Sequence, residues 1–155
     1  MNFVNLFISP SGRINRAKFW IVVLCNVVFF LAVIGVTMAV SSSLDTMFRV
    51  ALIAYIPMIY VGVVSGIKRL HDRNKTGWWV LLFYGAPLVL PLVAAVLDGA
   101  ADTSMGLLLL QLVSLIITVW ALVELGCLRG TIGQNKYGPD PLAPEVLTPP
   151  VRTHA

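Results

Sequence analysis

Four apolar stretches, each about as long as a membrane is thick, set the limits on how this chain folds. They cover residues 19–40, 50–67, 78–97 and 105–128, and none carries a charge near its middle. A helix needs roughly 20 apolar residues to cross the roughly 30 Å of hydrocarbon in a bilayer. We therefore predict an all-α integral membrane protein whose four transmembrane helices form two hairpins.

The composition excludes a soluble globular domain of this size. Hydrophobic residues make up 58% of the 155 residues and charged residues only 12%, whereas soluble domains are usually about 25% charged. The net charge of +4 would by itself also suit a nucleic-acid partner. The cations, however, stand in short clusters beside the apolar stretches and form no continuous basic face. We therefore expect anionic lipid headgroups as the partner and no nucleic acid.

The distribution of Lys and Arg predicts the orientation in the membrane. Ten of the eleven basic residues precede the first stretch, lie between the second and third, or follow the fourth, and Arg49 alone lies on the other side. Because cytoplasmic loops retain positive charge, both termini are expected in the cytoplasm. Trp20 and the pair Trp78 and Trp79 open the first and third stretches, where indole rings favour the headgroup level.

The beginning of the chain carries signals for two helices. Phe3, Leu6 and Phe7 stand at helical spacing, which favours a short interfacial helix, although a frayed terminus fits as well. Ser11 or Asn15 is placed to cap a helix that continues into the first stretch. At 22 residues that stretch is too long for the apolar core of a cleaved signal peptide, so a retained helix is expected.

A few polar residues interrupt the apolar stretches. Gln111, Ser114 and Thr118 follow one another at i, i+3 and i+7, which puts them on one helix face, and we expect that face to contact other helices and not lipid. Glu124 is the one acidic residue inside a stretch. A carboxylate there is either functional or held in an ion pair with Arg129 or an arginine of the central loop.

Glycines and prolines also mark the predicted spans. Gly62 and Gly66 form a G-x-x-x-G step, which allows close helix packing either within the chain or with a second copy. Pro57, Pro87 and Pro91 each remove a backbone donor and are expected to kink their helices. Kinks of this kind also shape cavities, so a transport pathway stays open as an alternative.

Three charged motifs lie on the predicted cytoplasmic side. Residues 11–20 read SGRINRAKFW, residues 68–79 read KRLHDRNKTGWW, and residues 130–141 read GTIGQNKYGPDP. Together they resemble a bacterial inner-membrane family, domain of unknown function 805, whose members show SGR-I-x-R-x-x-FW, RLHD-x-x-x-x-GWW and G-x-N-x-YG-x-DP in this order. The resemblance spans residues 11–141 and implies a small polytopic fold in the inner membrane, without an established activity.

The motifs bring a set of charged and aromatic side chains to one membrane surface. Arginine forks from separate loops would suit a phosphate-bearing headgroup or an acidic partner protein. In the alternative interpretation, Asp72 and Asp140 pair with the arginines and tie the loops to the helix ends. The candidate site consists of Arg13, Arg16, Arg69, His71, Asp72, Arg73, Trp78, Trp79, Asn135, Tyr137 and Asp140.

No catalytic or metal-binding motif is recognisable in the sequence. His71 beside Asp72 suggests an oriented base, but the one other histidine is His154 near the end of the sequence, and no cysteine is placed to help bind a metal. The sequence contains no G-x-S-x-G nucleophile motif and no phosphate-binding loop. We therefore expect no enzyme activity, no cofactor and no metal.

These observations lead to a domain division and to three functional hypotheses. Residues 1–141 form the transmembrane domain, and residues 142–155 form a Pro-rich disordered tail. The first hypothesis is a non-enzymatic inner-membrane scaffold that presents a basic cytoplasmic face to anionic lipid or to a membrane protein partner, alone or as a homo-oligomer. The second is a small oligomeric channel or transporter, and the third is an enzyme that acts on lipid through His71 and Asp72.

Overall fold

The structure, a computed structural model, describes residues 3–98 and 104–143. These residues form five α-helices and two single π-helical turns, and they contain no β-strand. In chain order the elements are α1 (Phe3–Phe7), α2 (Arg16–Val40), α3 (Leu44–Asp72), a first π-helical turn (Leu81–Gly85), α4 (Ala86–Asp98), α5 (Ser104–Leu122) and a second π-helical turn (Val123–Cys127). Apart from residues 142 and 143, the predicted tail lies outside the described residues.

Helix α1 is present where the spacing of apolar residues predicted it, and it lies against α3. Leu6 is buried in the core. The Lys68 ammonium donates to the carbonyl oxygen of Asn5, and the Tyr60 hydroxyl donates to that of Ile8 over 2.8 Å. These bonds and the buried leucine stabilise a helix that is too short to be stable alone.

Helix α2 begins before the first apolar stretch, at Arg16, with Asn15 as its N-cap. The Asn15 side chain accepts the Lys18 N–H over 2.9 Å, so Asn15 and not Ser11 fills the capping position. Most of the large apolar side chains farther along α2 are exposed, as expected of a helix whose solvent is lipid.

Helix α3 is longer than the apolar stretch that predicted it. It contains 29 residues, which extend about 43 Å at 1.5 Å per residue. Because the hydrocarbon of a bilayer is roughly 30 Å thick, one end of the helix has to lie outside it. The C-terminal end carries Lys68, Arg69 and Asp72, all of them buried in protein.

The third apolar stretch is less regular than predicted. It opens in a turn, the first π-helical turn follows, and the next regular α-helix is Ala86–Asp98. Pro87 has no N–H to donate to the carbonyl group of residue 83, which lies inside the π-helical turn. The loss of this α-helical hydrogen bond accounts for the wider, π-helical turn at this place. Within the described residues, three helices are long and apolar enough to cross a membrane, Arg16–Val40, Leu44–Asp72 and Met105–Cys127, while Leu81–Leu97 is shorter.

The helices form two hairpins that are joined through the π-helical turns. Helix α2 packs along α3 and α4 along α5, and the second π-helical turn contacts both α2 and α3. The Tyr84 ring of the first π-helical turn lies against Gly62 and Gly66 of α3. The G-x-x-x-G step therefore serves packing within the chain, where an aromatic ring lies against both glycines.

We expect Gly62→Leu to destabilise the fold by about 1–3 kcal/mol, because the added side chain overpacks against Tyr84. A Cβ atom at position 62 would lie 3.0 Å from Cε1 of Tyr84. Thermal unfolding in detergent measures the change. Gly35→Leu is the matched control, since outside the backbone of its own helix no described atom lies within 4 Å of a Cβ built there. Equal melting temperatures for the two variants would contradict this packing.

Candidate functional site

The site is built around the carboxylate of Asp72, the last residue of α3. Its two oxygens accept hydrogen bonds from different arginines, Oδ1 from Nε of Arg13 over 3.1 Å and Oδ2 from Nη1 of Arg69. The carboxylate and both guanidinium groups are buried. We call these three residues the arginine triad. It carries a net positive charge, so its other neighbours have to supply negative potential.

Arg13 uses its remaining donors on the segment that follows α5. Its Nη1 donates to the carbonyl oxygens of Gly133 and Gly138 over 2.7 and 3.2 Å, and its Nη2 donates to that of Thr131 over 2.6 Å. One side chain from the first motif thus holds three carbonyl groups of the third motif. The two loops are fixed to each other although more than a hundred residues separate them.

The C-terminal end of the second π-helical turn presents four carbonyl oxygens to the first hairpin, those of residues 125–128. Arg69 donates to the carbonyl oxygen of residue 125 over 2.7 Å and also to that of residue 128. Trp20 Nε1 donates to the carbonyl oxygen of residue 126 over 3.1 Å, and Arg16 donates to that of residue 127 over 3.0 Å. A helix end carries partial negative charge at such oxygens, so these contacts offset part of the charge of the arginine triad.

Residues 131–135 fasten the third motif to the end of α3. Thr131 donates to the carbonyl oxygen of Asp72 through its N–H and its hydroxyl, over 2.8 and 2.9 Å. The Asn135 side-chain amide donates to the carbonyl oxygen of His71 over 2.9 Å. The second and third motifs are therefore joined by their backbones as well as through Arg13.

Asp140 has a different role from Asp72. Its carboxylate accepts the backbone N–H groups of Leu142 and Gly133, each over 2.9 Å. Because both bonds favour the charged form, they lower the pKa of Asp140. Among the described residues, Asp140 forms no ion pair with an arginine. Of the two carboxylates that were predicted to pair with the arginines of the motifs, only that of Asp72 does so.

His71 is packed on one ring face and held at one ring nitrogen. Its Nδ1 lies 3.3 Å from the carbonyl oxygen of Gly12, and its ring stacks on Tyr137 with centroids 3.8 Å apart and planes 8° apart. The carboxylate of Asp72 accepts from the two arginines and does not orient the imidazole. No group of three His, Cys, Asp or Glu side chains that would hold a metal occurs in residues 3–98 and 104–143.

Glu124 is a second buried carboxylate, located in the second π-helical turn. Its Oε1 lies 2.8 Å from Nε of Arg73 and 2.6 Å from Nζ of Lys75. These are ion pairs by distance, but neither N–H is aligned well enough for a hydrogen bond. Of the two ion-pair partners expected for Glu124, the arginine of the central loop is the one in contact. The pairs connect that loop to the second π-helical turn.

The polar face of α5 lies only partly inside the protein. Ser114 is buried, but Gln111 and Thr118 are exposed. The Thr118 hydroxyl donates to the carbonyl oxygen of Ser114 over 2.8 Å, so its hydrogen bond is made within its own helix. Ser114 is thus the buried member of this face, and the contact of Gln111 and Thr118 with other helices stays a prediction.

The exposed part of the site is aromatic and cationic. Trp78 is 77% exposed and Trp79 is 38% exposed. Arg16, Arg129 and Lys136 are exposed as well. These side chains, and not the buried arginine triad, form the surface that a ligand would meet.

Two features of the site have no recognisable signal in the sequence. Trp20 donates to a helix end in the other hairpin, whereas its position indicated only the headgroup level. A Cβ atom on Gly130 would overlap the carboxylate of Asp72, so this position requires glycine. A glycine after a helix usually marks a helix end, which locates Gly130 but does not reveal the carboxylate beside it.

These features define a helical membrane protein whose charged loops are tied together by buried arginines. The chain matches the family described as protein of unknown function (DUF805) over residues 7–139, and it belongs to that family. It is 32% identical over 132 residues to the uncharacterized protein YiiR of Escherichia coli strain K12, with 85% of each chain covered. The inner membrane protein YhaI of that strain is 25% identical over 136 residues, with 87% of each chain covered. No solved structure matches the chain.

We expect Asp72→Asn to destabilise the fold by about 3–5 kcal/mol, because it leaves two buried arginines without a counter-charge. Denaturant unfolding in detergent measures this change. The matched control is Asp45→Asn, which removes an exposed ion pair with Arg49 at 3.0 Å and should cost at most about 1 kcal/mol. If both variants lost the same small amount of stability, the arginine triad would not hold the loops.

Proposed function

We propose that this protein is a non-enzymatic scaffold of the bacterial inner membrane whose basic face binds anionic phospholipid headgroups. Four helices cross the bilayer in this proposal, and both termini lie in the cytoplasm. The location is supported by the name of the relative YhaI, an inner membrane protein of Escherichia coli. The orientation is supported by the ten basic residues on one side of the predicted spans.

The fourth crossing rests on residues 78–97. At 1.5 Å per residue, these 20 residues reach about 30 Å, the thickness of the hydrocarbon. The contacts between Asp72 and Thr131 require that the chain return to the surface it left after α3. If α5 crosses the bilayer, the third apolar stretch therefore crosses it as well.

The lipid proposal is carried by the difference between buried and exposed cations. Every side-chain nitrogen of Arg13 and Arg69 has an acceptor within the chain, so the three motifs form a fixed platform. Arg16, Arg129 and Lys136 remain exposed on it. A headgroup phosphate gains charge-assisted contacts with these outer cations without breaking the arginine triad.

The same contacts support a non-enzymatic role. A general base needs a free nitrogen or oxygen within reach of its substrate and a partner that orients it. The ring of His71 is stacked on Tyr137, and Asp72 accepts from two arginines. Asp72 therefore does not orient the imidazole of His71, and the catalytic pair that the sequence suggested is not formed.

A small oligomeric channel or transporter is the second candidate function, and one observation favours it. Pro91 and Gln111 line the same cavity of about 210 Å³, together with Ala94, Ala95 and Leu107. An amide in such a place offers a hydrogen-bonding group to a polar solute inside the membrane. Purified protein in liposomes that passes neither ions nor small solutes would remove this candidate.

We expect the protein to prefer phosphatidylglycerol over phosphatidylcholine at its surface. The double variant Arg129→Glu/Lys136→Glu should lower this preference by about tenfold or more, since each cation near a membrane surface contributes about 1 kcal/mol. Quenching of tryptophan fluorescence by brominated lipids in mixed bilayers measures the relative affinity.

The control for this experiment is Arg49→Glu, which changes the charge in the first turns of α3, at the opposite membrane surface in this proposal, and should lower the preference less than the double variant does. A protein with no preference for phosphatidylglycerol would contradict the proposal. So would a double variant that binds it as well as the unaltered chain.

A further inference from the structure

An apolar groove runs between α3 and the start of the third apolar stretch. Its volume is about 320 Å³, and it is lined by Val63, Ile67, Gly77, Trp78, Val80 and Leu81. Apart from Gly77, every lining side chain is aliphatic or aromatic. We call it the Trp78 groove. Its size and lining suit a hydrocarbon chain and offer no site for a charged group within the groove itself.

Gly77 forms the end of the Trp78 groove that is next to the charged motifs. A Cβ atom at this position would lie 3.1 Å from Cγ2 of Ile67 and 3.7 Å from Nε2 of His71. The absence of a side chain therefore leaves the groove open at this end. It also brings the end of the groove next to the imidazole ring.

A cation lies beyond this end of the groove. His71 stacks on Tyr137 with centroids 3.8 Å apart, and Nζ of Lys136 lies 4.9 Å from the centroid of the Tyr137 ring. Lys136 is exposed and forms no ion pair with any residue of 3–98 and 104–143. Apolar surface, an aromatic pair and an ammonium group thus follow one another along the protein.

We propose that the Trp78 groove binds a single anionic phospholipid, with one acyl chain against Ile67 and Val80 and the phosphate at Lys136. The inference rests on the proposed function, and it locates the binding of the anionic lipid at one site. Charge complementarity identifies the occupant, because the apolar groove takes the chain and the ammonium group takes the phosphate. Trp78 lies where an indole ring contacts chain and headgroup together, and it is 77% exposed.

A second cavity among the charged motifs is too small for a headgroup. It is lined in part by Arg16, Arg69, Arg129 and Asp140, and its volume is about 30 Å³. One water needs roughly 10–15 Å³ on this scale, so the cavity holds a few waters at most. Arg129 is thus an exposed cation of the same surface that does not line the Trp78 groove. It is the matched control for Lys136.

Native mass spectrometry of the full chain in detergent, titrated with phosphatidylglycerol, measures the Kd of the first bound lipid. We expect Lys136→Glu to weaken this first site by about tenfold or more and Arg129→Glu to weaken it by about fivefold or less, since a cation near the surface that does not touch the bound phosphate contributes about 1 kcal/mol. Leu81→Trp fills the groove from an exposed position and should also weaken it, with the charge unchanged. Inorganic phosphate should not displace the lipid, because it has no chain for the groove.

The variants separate this inference from the proposed function. Equal weakening by Lys136→Glu and Arg129→Glu would overturn the groove site and leave a diffuse basic face in place. Full affinity in both would contradict the inference and the proposed function together. Full affinity in Leu81→Trp would show that no chain occupies the groove. Each variant should melt within a few degrees of the unaltered protein, since all three positions are exposed.

Discussion

The rest of the structure depends on the carboxylate of Asp72 between two arginines. A buried ion pair alone is weak evidence of stability, because desolvation of the charges can cost as much as their attraction returns. Here the other nitrogens of Arg13 and Arg69 donate to backbone carbonyl groups. The protein thereby replaces the water that these groups lose, and the carbonyl end of the second π-helical turn offsets the net positive charge.

This interaction matters more in a membrane than it would in water. Lipid provides no hydrophobic drive for helices to associate, so close packing and polar contacts have to hold the two hairpins together. The structure uses both, with Tyr84 packed into the glycine step of α3 and the arginine triad joining the loops. Both π-helical turns contribute, since one carries Tyr84 and the other carries Glu124 and the carbonyl groups that Arg69 binds.

The helical class and the membrane environment can be predicted from the sequence because they depend on average hydropathy over long stretches. The bounds of α3 cannot be predicted from the sequence, because its last residues stay helical and buried through contacts with Arg13 and the second π-helical turn. The residues of the charged motifs can be named in advance, but the sequence leaves open whether they bind a ligand or pair with one another. Asp72 and Asp140 both stand among basic residues in the sequence, and only the folded chain directs the first to arginines and the second to backbone N–H groups.

A double-mutant cycle between Arg13 and Asp72 tests the central claim most directly. The free energy of unfolding is measured in detergent for Arg13→Gln, Asp72→Asn and the two combined. If the pair is buried and coupled, the double variant should lose less stability than the two single losses together, with an interaction energy of about 1–3 kcal/mol. Losses that add within about 0.5 kcal/mol would contradict the account.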